Sequence, residues 1–231
     1  MSTIKENLDA VRYRIAEAAK VSGRNPEDIK VMAVSKTRSP AEIERAYKAG
    51  FRLFGENRVQ EAVRKFSDFH KDAELHLIGH LQSNKAKAAA EISDCIESVD
   101  RIKIAGILNT FAGAVHKKID IYIEYNTSGE ESKSGFTTED DFFRGMDEMV
   151  LLENLRIRGL MTVGPLAGGE SAVRKAFATL RTLFEKTKGR YSQLNLEELS
   201  MGMSSDFPIA VEEGATIVRI GTLLFGPRIY T

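Results

Sequence analysis

The sequence predicts an α/β fold: a single (β/α)8 TIM barrel with an extra N-terminal helix, one domain over residues 1–231. Three observations predict it. Eight strand-like segments occur, nearly all separated by helical ones, and such alternation implies a parallel sheet. The length of 231 residues suits one barrel with a sizeable core. Small, polar loops follow segments seven and eight, where barrel enzymes frequently bind phosphate. A doubly wound open sheet is the alternative. It usually has fewer strands, and the first strand-to-helix turn, Ser35 to Pro40, has no glycine-rich fingerprint.

Residues 4–22 read as the extra helix, with Ile4, Leu8, Val11, Ile15 and Ala18 at helical spacing and Gly23 as the stop. The first strand is the stretch Ile29 to Thr37. Period-2 alternation puts Met32, Val34 and Lys36 on one face and Val31, Ala33 and Ser35 on the other. Ser39-Pro40-Ala41-Glu42 is a capping-box start, and that helix ends at Gly50. Phe51 to Phe54 is a short strand, followed by a helix with Val59, Ala62, Val63 and Phe66 on one side. Leu75 to Gly79 is strand-like; Ser83 to Ile92 is helical. Cys95 to Val99 is a strand, and Asp100 caps a helix through Ile102, Ala105 and Leu108. Ile119 to Tyr125 is a strand, then a long polar loop precedes a helix near 139–150. Leu155 to Val163 is a strand; Val173, Phe177, Leu180 and Phe184 mark a helix ending near Gly189. Glu198 to Met203 is strand seven, Asp206 caps a short helix stopped by Gly214, and Thr216 to Ile220 is strand eight.

Composition narrows the function. Lys+Arg and Asp+Glu stand at 33 each, so no net charge points to nucleic acid or to an anionic membrane. The single Cys95 cannot form an internal disulfide and fits an inert core position in a reducing compartment. No apolar run is long enough for a membrane span, and the start lacks a signal-peptide core. The expected setting is cytoplasmic.

Lys36 closes the first strand. It reads either as a side chain snorkelling to water or as a partly desolvated amine able to form a Schiff base with an aldehyde. The rest of the chain offers it a neighbour. Strand seven runs into Met201-Gly202-Met203-Ser204-Ser205-Asp206, and strand eight gives Val218-Arg219-Ile220-Gly221-Thr222. Small residues admit an anion to the backbone, hydroxyls donate, and Arg219 adds a fixed cation. Barrel closure sets strand eight beside strand one, hence this cradle beside Lys36. A ligand with a phosphate and an aldehyde would fit; pyridoxal 5'-phosphate (PLP) and a sugar phosphate in a Schiff-base aldolase both qualify.

Five segments together resemble a known family. They are Val34-Ser35-Lys36-Thr37, Phe54 through Glu61, His76 through Lys85, Ser200 through Asp206, and Val218 through Thr222. The resemblance is to the YggS/PROSC family of pyridoxal phosphate homeostasis proteins, related to the barrel domain of alanine racemase. It runs in order through almost the whole chain and makes the aldolase reading the weaker one. It implies PLP held as a Lys36 aldimine, with phosphate contacts from Ser204, Gly221 and Thr222. It places Arg219 at the pyridine ring or the phosphate, and Asn57 near the ring. It implies a role in vitamin B6 homeostasis, with other B6 vitamers and transient apoenzymes as possible partners.

The resemblance raises the racemase alternative. Alanine racemase adds a C-terminal β-domain that brings a tyrosine base to the partner subunit's site; here Tyr230 lies in a short tail before Thr231. Two-base racemisation needs a second positioned acid or base, and none is identifiable. The expectation is a monomeric cofactor-binding protein without catalytic residues; the alternative is a PLP-dependent, racemase-like enzyme. No metal is expected: His76 and His80 flank a strand end and Gly79, so their side chains do not converge. Lys133 in the polar loop reads as solvated or as a secondary cofactor contact. Met32, Met161, Met201 and Met203 read as packing residues.

Overall fold

The computed structural model describes residues 3–227. Eight parallel strands close into a barrel in chain order. They are β1 (Lys30–Val34), β2 (Leu53–Glu56), β3 (Glu74–Leu77), β4 (Cys95–Val99), β5 (Ile119–Glu124), β6 (Leu155–Met161), β7 (Glu198–Met203) and β8 (Ile217–Ile220). The α-helices are α1 (Ile4–Val21), α2 (Pro40–Lys48), α3 (Val59–Phe66), α4 (Ala86–Ile92), α5 (Ile102–Ala114), α6 (Glu139–Met149), α7 (Gly169–Arg190), α8 (Phe207–Glu212) and α9 (Thr222–Phe225). The closing pair is β1 with β8, where Met32 faces Arg219 and Ala33 faces Ile220. This closure brings the end of strand one to the end of strand eight.

Local chemistry sets the ends. Thr3 and Glu6 form a capping box at α1, and Ser39 and Glu42 form one at α2, with Pro40 in the first turn. The extra helix α1 packs against α8 and α9, and Asn7 donates from Nδ2 to the Leu224 carbonyl at 2.9 Å. The main apolar core lies between strands and helices, with Ala33, Phe54, Leu77, Ile96, Ile121 and Val218 on the strand side. A smaller cluster fills the barrel: Met32, Val34, Cys95, Tyr122, Met161 and Ile217. The alternation of Met32 and Val34 inward and Ala33 outward is thus the one read from the sequence. Burial of Cys95 pushes its thiol pKa well up, which suits a packing role.

Several sequence readings shift. β1 ends at Val34, so Lys36 lies in the turn that follows. β2 runs from Leu53 to Glu56, two residues later than expected, because Gly55 and Glu56 continue the ladder opposite His76 and Leu77. On α3, Val63 is exposed and Lys65 is buried in its place. Asp100 does not cap α5; it pairs with His80 and Arg101. Asp206 precedes α8 without capping it, and accepts from the Met203 N–H instead. Lys133 is not solvated: its ammonium donates to Glu130 and to the Gly164 carbonyl, at 2.9 and 2.7 Å. Tyr230 lies outside the described residues. Among the described residues no helix is long and apolar enough to cross a membrane.

Candidate functional site

The turn after β1 carries Ser35, Lys36, Thr37 and Arg38. Thr37 has φ 65°, a left-handed backbone that costs a β-branched residue about 1–3 kcal/mol unless its surroundings hold it. They do. The Thr37 N–H donates to Glu61 Oε2 at 3.0 Å, and the Ser35 hydroxyl donates to Glu56 Oε1 at 2.7 Å. Lys65 supplies the cation for both carboxylates, with Nζ 2.9 Å from Glu56 Oε1 and 2.8 Å from Glu61 Oε2. The same ammonium donates to the Ser35 carbonyl at 3.0 Å. The side chains of Lys65 and Glu56 are both 0% exposed. Burial raises the Glu56 pKa, and the hydrogen bonds from Lys65 and Ser35 offset only part of that. For Glu61 burial also raises, but the bonds from Lys65 and Thr37 win and the pKa falls. A sealed ionic cluster therefore grips the turn on both sides of Lys36.

Lys36 itself is half-buried on the wall of a cavity of about 330 Å³ at the C-terminal mouth of the barrel. Val34, Ile78, Met203, Ser204, Ser205, Arg219, Gly221 and Thr222 line the rest, with Arg38. Arg38 is engaged elsewhere: its guanidinium donates to the Phe225 and Gly226 carbonyls and to Glu42, and lies over the Phe225 ring. It thereby ties the Lys36 turn to the segment after β8.

On the same cavity, the Ser204 hydroxyl accepts from the Gly221 N–H at 3.4 Å, a loose contact. Two glycines here differ in kind. Gly202 has φ +90°, and a Cβ would stand 2.5 Å from Ala210 Cβ, so the fold itself requires it. Gly221 has φ −112°, and its Cβ would make ordinary contacts with Val34. The folded chain alone does not demand glycine at 221.

A buried polar chain runs through the barrel beneath this cavity. The Arg219 guanidinium donates to the Ser200 hydroxyl and to the Thr162 carbonyl, each at 2.7 Å. The Ser200 hydroxyl donates to Glu97 Oε2 at 2.5 Å, and Glu97 Oε1 lies 2.6 Å from His76 Nδ1. His76 Nε2 meets Glu74 at 2.9 Å. Burial lowers the His76 pKa, but the two carboxylates outweigh it and carry it up to about 9. Burial pulls the Arg219 pKa down, opposed by Glu97, Asp206 and Glu124.

The architecture and this site can be set beside known proteins. The family described as alanine racemase, N-terminal domain, matches residues 7–228. A pyridoxal phosphate homeostasis protein of Pseudomonas aeruginosa is 45% identical over 233 residues, covering 100% of this chain and 98% of its own. One from Escherichia coli is 40% identical, with 100% and 99% covered. The chain belongs to the pyridoxal phosphate homeostasis protein family. A solved structure of PipY from Synechococcus elongatus with PLP bound superposes at TM-score 0.84 with 38% identity, covering 97% of this chain and 100% of PipY. Alanine racemase of Clostridium difficile shares the fold at 15% identity and TM-score 0.76, this chain matching 56% of its length.

For this family member, five of the six residues singled out from the sequence line one cavity: Lys36, Ser204, Arg219, Gly221 and Thr222. Asn57 lines a neighbouring cavity that shares Ile78 with the first. The sequence reading missed the Lys65–Glu56–Glu61 cluster and the polar chain inside the barrel. The polar chain had a signal: His76, Ser200 and Arg219 are each a single polar residue between two apolar ones in a predicted strand, the mark of an inward-facing position. Lys65 had none, since a lysine at helical spacing ordinarily reads as surface. His76 and His80 do not converge; His80 Nδ1 instead meets Asp100 at 2.9 Å and Ser134 at 3.0 Å. Among the described residues no cluster of His, Cys, Asp and Glu could hold a metal ion.

Proposed function

We propose that this protein binds PLP in the Lys36 cavity and serves intracellular PLP homeostasis, holding the cofactor as a Schiff base on Lys36 with little or no turnover. The observation that carries the reading is that Lys36 shares the lining of one cavity with Ser204, Gly221 and Thr222. An aldehyde needs the amine and a phosphate the other three. The cavity tests well for fit. Gly221 leaves room that the fold does not need, and Ser204 and Thr222 supply hydroxyls at the same wall. Arg219 is pinned by Ser200 and Thr162, so its guanidinium reaches across the barrel toward β6 and β7. That direction favours a contact with the pyridine ring over the phosphate. PLP bound to PipY, and the names of the curated relatives, support the cofactor and the homeostatic role.

The chain's own residues hold more than they move. Lys65 and Arg38 fix the turn of Lys36, and Arg219, Ser200 and Glu97 are linked by hydrogen bonds inside the barrel. Spectrophotometric titration with PLP tests the reading. A band characteristic of a lysine imine is expected in the native protein and none in Lys36→Ala. An assay of amino-acid racemisation then separates carrier from enzyme: efficient turnover that Lys36→Ala abolishes would replace this reading with the racemase-like one.

A further inference from the structure

Arg219 lines the Lys36 cavity and is only 4% exposed. Among the described residues, the carboxylate within ion-pair reach of it is that of Glu97, with Oε2 4.0 Å from Nη1. The Ser200 hydroxyl stands between these same two atoms, 2.7 Å from Nη1 and 2.5 Å from Oε2. Behind Arg219, the side chains of Ser200, Glu97 and His76 are all buried. Burying a guanidinium is costly, and apolar side chains of like volume would fill a barrel at less cost. A cation kept at the end of such a chain, on the wall of a cavity, points to a ligand.

The donors and acceptors of the chain admit one arrangement. A guanidinium only donates, so the Ser200 oxygen accepts from Arg219 and its single proton goes to Glu97. Glu97 Oε1 lies 2.6 Å from His76 Nδ1, and Glu74 Oε1 lies 2.9 Å from His76 Nε2. Each ring nitrogen meets a carboxylate oxygen, so both donate and His76 is an imidazolium. Its raised pKa agrees. The Tyr122 ring stands perpendicular to the imidazole, with centroids 5.9 Å apart, and packs it in place. Glu97 is thus held from both sides, by the His76 imidazolium at one oxygen and by Ser200 at the other.

We infer that Glu97, clamped by His76, is a positioning residue for the cofactor: through Ser200 it holds the Arg219 guanidinium at the cavity wall for contact with the pyridine ring. The inference rests on the reading of that cavity as the PLP site. A pyridine nitrogen is an acceptor that a guanidinium can serve, and a guanidinium fixed before binding loses little freedom on contact. The Thr162 carbonyl, bonded at 2.7 Å, holds the other terminal nitrogen, so removing Ser200 or Glu97 frees one end of the group.

The test has two arms. In the first, PLP-free full-length protein carrying 13C,15N-arginine is followed by NMR, with the Arg219 signals assigned by their loss in Arg219→Lys. Separate Nη signals, the sign of hindered rotation, are expected in the native protein. They should merge in Ser200→Ala and in Glu97→Gln, whose amide nitrogen faces one of two donors. Ser200→Ala is the milder change, and thermal melts confirm that each variant is folded. In the second arm, the probes are PLP and a carbocyclic analogue with C–H in place of the ring nitrogen. Ser200→Ala should weaken PLP binding about tenfold and leave the analogue within about twofold, the loss of a contact to a charged donor. Arg219 signals unchanged in both folded variants, or equal losses for PLP and the analogue, would overturn the inference. Native protein that binds no PLP would overturn the cofactor reading instead, while the arginine signals still decide whether Glu97 positions Arg219.

Discussion

Two lysines, Lys36 and Lys65, meet at one turn and have opposite surroundings. Lys65 is sealed, with three oxygens around its ammonium and no exposed side-chain surface. Lys36 sits one residue beyond the carbonyl that Lys65 holds, and it faces a cavity. Burial alone therefore does not make a lysine chemically useful; access and a fixed approach do. The buried one holds the backbone, and the accessible one is presented by it. This division predicts that changes at Lys65 are felt as stability and changes around the cavity as binding.

The largest effect on stability is expected for Lys65→Met. It leaves Glu56 buried without its cation and should cost about 3–5 kcal/mol in denaturant unfolding. Pairing it with Glu56→Met should recover most of that loss, because both charges are then gone. If Lys65→Met instead kept full stability and lost only PLP affinity, the division between the two lysines would fail.

His76 sharpens the same contrast, being buried and paired with Glu97 and Glu74. Its pKa is raised in the folded chain to about 9, from an ordinary value of 6.5. The stabilisation is thus complete below about pH 6.5 and is lost as pH rises through about 9. Unfolding titrations should show a fall on the order of 3 kcal/mol across that window, and His76→Gln should flatten it. A pH-independent stability in the native chain would contradict the pairing with Glu97 and Glu74.

The smallest effect is expected at the cavity rim. Ser204→Ala removes one hydroxyl from the wall and should weaken PLP binding by about 1 kcal/mol, roughly fivefold, with the melting temperature unchanged. Equilibrium dialysis with a parallel melt checks both halves of that statement. An equal loss in stability would make Ser204 a structural residue.

The barrel was legible because its signals are local. Capping boxes at Thr3 and Ser39 and the apolar alternation of β1 need no distant partner to be read. The cavity was legible through chain order, since β1 and β8 must meet when eight strands close. What escaped depends on pairings far apart in sequence. Lys65 is buried because Glu56 and the Ser35 carbonyl await it, and Asp206 turns from its helix to the Met203 N–H. The end of β1 was overextended because Lys36 keeps the period-2 direction after the ladder has stopped at Val34.

Reduction of the PLP-loaded native protein with borohydride, followed by peptide mapping, tests the central claim most directly. The account predicts a single pyridoxyl label, on Lys36. A label on Lys133 or on another lysine, or tight PLP binding that leaves no label on Lys36, would contradict it.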